Sequence, residues 1–72
     1  MENVYVVFDM DNIIIGVYRT LESAKKCALE EIEEVCNKSG FNKSDKAHFI
    51  SELNDNLYVE DVVYIAPETL YD

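Results

Sequence analysis

A chain of 72 residues, 49% hydrophobic with two glycines and one proline, has material for one modest core and is not a disordered or low-complexity polymer. Fifteen acidic residues against six basic ones, a formal net charge of −9, disfavour direct binding to nucleic-acid phosphates or anionic membrane surfaces and direct attention to basic partners. The start, MENVYVVF, places an acid at position 2 where an export signal carries basic residues, and no apolar run nears the roughly 20 residues of a membrane span. The expectation is therefore a single compact acidic domain over residues 1–72, in the cytoplasm.

Asn3 to Phe8, NVYVVF, and Ile13 to Arg19, IIIGVYR, are rich in β-branched and aromatic residues and flank four residues of turn chemistry, which predicts a β-hairpin. By strict alternation Val4, Val6 and Phe8 oppose Tyr5 and Val7, while Ile13, Ile15 and Val17 oppose Ile14, Gly16 and Tyr18. One face of the hairpin takes a helix. The other, expected to carry Tyr5 and Tyr18 and joined by Tyr64, is left for a second cover or for self-association. The turn sequence VVFDMDN resembles the first motif of haloacid-dehalogenase-type phosphatases, which would make Asp9 a nucleophile and Asp11 its partner. Ile13 stands where that motif usually has Thr, and 72 residues leave no room for the rest of such a site. An EF-hand loop fails as well, since Ile13 and Ile14 occupy a ligand position and the required glycine.

Thr20 to Asn37 predicts the main helix. Leu21, Ala24, Ala28, Ile32 and Val35 fall within one arc, Thr20 is a suitable N-cap, and Asn37 to Gly40 supplies a stop. Its charge order runs against the helix dipole: Lys25 and Lys26 lie in the N-terminal half, while Glu30, Glu31, Glu33 and Glu34 crowd the C-terminal half. Like charges at i,i+4 each cost a few tenths of a kcal/mol, roughly. Cys27 and Cys36 sit on this helix roughly 13 to 14 Å apart, outside disulfide reach, and are expected to be reduced packing residues.

Ser44 or Asp45 is expected to cap a second helix running to about Asn54, with Ala47, Ile50 and Leu53 inward and His48, Glu52 and Asp55 outward. Tyr58 to Ala66 then reads as a third strand, strongest from Asp61 to Ile65 and ended by Pro67, with Leu70 and Tyr71 folding back. The sum is an α+β fold, ββααβ, in which a three-stranded, mostly antiparallel sheet packs the helices on one face and the third strand lies beside the first.

No nucleophile with a base, no metal-ligand set and no phosphate loop stands out, so neither enzyme activity nor a cofactor is expected. Carboxylates three and four apart on a helix have Cβ atoms about 5 to 6 Å apart, on the scale of successive phosphates. With EEIEE at 30 to 34 and VED at 59 to 61, the chain resembles the small acidic DNA-mimic and host-takeover proteins of bacteriophages. That resemblance implies an inhibitor occupying the DNA-binding surface of a basic host protein, for example the nucleoid protein HU. The expected contacts are Glu30, Glu33 and Glu34, then Glu31, Glu52, Asp55, Glu60 and Asp61. An adaptor or homodimer built on Tyr5, Tyr18 and Tyr64 is the alternative.

Overall fold

The computed structural model describes residues 2–70. Its elements are β1 (Glu2–Asp9), β2 (Ile14–Tyr18), α1 (Leu21–Ser39), α2 (Lys43–Asn56), β3 (Tyr58–Val59) and β4 (Val63–Leu70), and the antiparallel sheet runs β2-β1-β4-β3. The α+β class, the hairpin, the two helices and a later strand beside β1 are as the residue pattern predicts. The expectation for Tyr71 falls outside the described residues.

The core forms where α1 crosses the sheet. Val7, Val63 and Ile65 from the strands meet Ala24, Ala28, Ile32 and Cys36 from α1, and Leu53, Val59 and Val62 close the α2 side. Ile32, Leu53 and Ile65 are among the largest side chains fully enclosed there, each contributing about 1.5–3 kcal/mol. Cys36, expected only to flank the buried arc, lies within the core, whereas Val35 is half-buried. Both cysteines are free thiols.

Four sequence expectations need correction. First, the third strand is two strands: Asp61 turns left-handed (φ 60), Val62 N–H donates to the Val59 carbonyl at 3.0 Å, and the tight turn separates β3 from β4. Second, Pro67 does not end β4, which runs on to Leu70 with Pro67 opposite Tyr5. The Ile65 N–H points away from β1, to the Leu57 carbonyl at 2.9 Å. By the two-residue repeat, the missing N–H of Pro67 would also have pointed to that edge, where β3 no longer reaches, so no ladder bond is lost.

Third, α2 begins earlier than expected. Asn42 is the N-cap and completes a capping box: its side chain accepts from the Asp45 N–H at 2.9 Å, and Asp45 accepts from the Asn42 N–H at 3.4 Å. Ala47, expected to face inward, is exposed. Phe49 takes the inward position and meets Phe41 edge-on at 5.3 Å.

Fourth, Tyr5 and Tyr18 lie on the helix-covered face and pack against the core. The two pair directly and share one face as the alternation predicts, so the difference lies in which face the helices cover. A β-bulge further along does shift β2: Val7 pairs with Gly16 but Phe8 pairs with Ile14, which leaves Ile15 as the extra residue. Strict alternation therefore fails on β2, and Ile14 and Val17 share the face away from the helices. Gly16 has a steric role, because a Cβ there would stand 2.5 Å from the Tyr18 ring that lies over it.

Candidate functional site

A hairpin sends β2 back to the end of the sheet where β1 began, so α1 must start there and return toward the β1–β2 turn. Its C-terminal half consequently passes Asp9 and Asp11. A cleft of about 250 Å³ opens at this junction, lined by Asp9, Asp11, Glu31, Glu34 and Lys38. Partial burial pushes the Glu31 carboxyl above the ordinary glutamate value, Glu34 and Asp9 push it further, and Lys38 offsets part of the rise.

The acids of α1 are not equivalent. Glu34 holds Lys38 at 2.8 Å, which raises the lysine through the hydrogen bond and its charge, while Glu33 reaches Lys46 of α2 at 3.8 Å. Both pairs are exposed to solvent and screened by it, so neither adds much to stability. Glu30 is exposed and makes no ion pair among the described residues. Glu52 lies 3.1 Å from His48 on its own helix, and Asp55 stays in the last turns of α2; neither lines a cleft with the α1 acids. Glu60 and Asp61 occupy the β3–β4 turn, and Asp61 meets Asp9 in a second cleft at the same end of the sheet. Residue reading thus missed Asp9 and Asp11 as members of the acidic end. The signal that could have placed them was topological: a helix leaving a short hairpin returns over its turn.

Asp9 has a definite local task. Its Oδ1 accepts from the Asp11 N–H at 2.9 Å and the Ile13 N–H at 3.0 Å, so the carboxylate shapes the turn as an Asx cap. The helix-free sheet face carries Val6, Phe8, Ile14, Val17, Tyr58 and Tyr64, with Ile14 57% and Val17 56% exposed. Tyr64 stacks on Phe8 at 5.9 Å and meets Tyr58 edge-on at 5.7 Å. Of the three tyrosines expected on this face, only Tyr64 is there.

Among the described residues no group of three or more His, Cys, Asp or Glu side chains is placed to hold a metal ion, and no helix is long and apolar enough to cross a membrane. No family model, curated protein or solved structure matches the chain.

Proposed function

We propose that the chain is a non-enzymatic acidic inhibitor that presents a DNA-like array of carboxylates to the DNA-binding surface of a basic protein, such as the nucleoid protein HU, in the host cytoplasm. The observation that carries this reading is the meeting of Asp9 and Asp11 with Glu31 and Glu34 across two elements. Such a gathering is unfavourable for the chain alone: partial burial raises the Glu31 carboxyl most, and the charges of Glu34 and Asp9 add to the rise. It becomes favourable against an opposing positive surface. Glu30, Glu60 and Asp61 extend the array, while Lys38 and Lys46 mask parts of it until a partner's cations replace them.

The test is displacement of a labelled DNA duplex from HU, followed by fluorescence anisotropy. The chain should release the duplex at 50 mM salt and lose potency as salt rises toward 300 mM, concentrations spanning Debye lengths of roughly 14 to 6 Å. Unchanged anisotropy at every ratio and salt concentration would remove HU as the partner; the same result across a panel of basic DNA-binding proteins would remove the reading.

The apolar helix-free face favours a second role as a self-associating or adaptor surface, because Ile14, Val17, Tyr58 and Tyr64 leave a patch with no cover among the described residues. Sedimentation at rising concentration should show a dimer that Val17→Lys abolishes without changing the melting temperature. A monomer at millimolar concentration would contradict self-association.

A further inference from the structure

We infer that the cleft between the β1–β2 and β3–β4 turns receives one arginine side chain of the partner. This deepens the proposed DNA-competitor role and rests on it for the partner's identity, although the cleft can be tested without any partner. The cavity measures about 220 Å³ and is walled by Tyr58 and Tyr64, with Met10 beside them and the acidic residues Asp9 and Asp61 in its lining. The two rings meet edge-on at 77°, so a planar cation that stacks on one of them can reach the edge or hydroxyl of the other.

Each wall matches a different part of arginine. Met10, 57% exposed, suits its aliphatic stem, the tyrosine faces suit a weakly hydrated delocalised cation, and a carboxylate suits its forked donors. No lysine, arginine or histidine is among the residues that line the cleft, so no internal cation fills this role among the described residues. Asp9 spends Oδ1 on the turn, and neither its Oδ2 nor the Asp61 carboxylate accepts a hydrogen bond from a described residue. Lysine fits less well, since a compact ammonium keeps its hydration more firmly and cannot stack.

The test is an NMR titration of the chain with Nα-acetyl-arginine amide and, separately, with its neutral isostere Nα-acetyl-citrulline amide. The arginine compound should give saturable shifts of the Tyr58 and Tyr64 ring signals, with much smaller shifts from the citrulline compound. Asp61→Asn is a suitable variant because asparagine tolerates the left-handed backbone at this position (φ 60) and preserves the side-chain shape. It should weaken arginine binding at least twofold, and Tyr58→Leu should weaken it by about two- to fivefold, the factor for an exposed cation–π contact. Equal shifts from both compounds, shifts confined to the Glu30 to Glu34 stretch, or unchanged binding in both variants would each overturn the assignment. Arginine binding in the cleft by a chain that displaces DNA from no basic protein would leave the cleft standing and defeat the competitor role.

Discussion

At the scale of single residues, Glu31 shows how the fold accepts an unfavourable charge. Its carboxyl is raised first by partial burial, then by Glu34 and Asp9. A raised folded-state value means the protonated form is favoured on folding, so this group's stabilisation is complete below the ordinary value of 4.5 and is lost as pH climbs through the folded value. At neutral pH Glu31 therefore opposes folding. Glu31→Gln should raise the melting temperature at pH 7 by about 1–2 °C, as expected for relief of a few tenths of a kcal/mol in so small a domain, with the gain vanishing near pH 3. An equal gain at both pH values would show that charge is not the cause. Residue chemistry made the repulsion along EEIEE legible, since Glu30 and Glu34 are one helical turn apart. It gave no warning of Asp9, which is separated from Glu31 by β2 and the first half of α1 and joins it only through the path of α1. Tyr5 and Tyr18 were misplaced because aromatic character says nothing about which side of a strand is covered. The Ile15 bulge then broke the alternation on which any facing argument for β2 rests.

At the scale of elements, local signals worked where they depended on neighbours in the chain. Thr20 caps α1 through its hydroxyl, which accepts from the Ser23 N–H at 3.2 Å, and Gly40 ends it in left-handed backbone (φ 72). They failed where pairing decides. Proline usually stops a strand, yet Pro67 continues β4 because the donor it lacks would face the edge that the two-residue β3 leaves open. The same geometry gives Pro67 a protective role, since beyond β3 that edge would otherwise present another donor to a second chain. Pro67→Val should leave the melting temperature within about 1 °C, because no internal ladder bond changes. It should also increase concentration-dependent aggregation, measured by light scattering during prolonged incubation. A variant that melts several degrees lower and does not aggregate would mean that Pro67 stabilises the strand instead of guarding its edge.

At the scale of the whole molecule, the net charge of −9 is distributed with a polarity that composition cannot show. The two β-turns and the returning half of α1 bring Asp9, Asp11, Glu31, Glu34 and Asp61 to one end, while the helix-free face keeps an apolar surface nearby. A partner that engages the acidic end is thus within reach of the tyrosine cleft, which could add contact area less sensitive to salt than the carboxylates alone. The central claim is that these carboxylates are placed for a partner and not for the stability of the chain. Glu30→Gln with Glu31→Gln tests it most directly, since neither residue makes an ion pair among the described residues and both changes keep side-chain shape. Duplex displacement from HU, or from whichever basic protein the chain is found to displace, should be measured for this variant beside its melting temperature. The account predicts that the variant melts at the same temperature or higher and needs at least fivefold more protein to release the duplex, about 1 kcal/mol for lost charge contacts. Undiminished displacement by the double variant would contradict it.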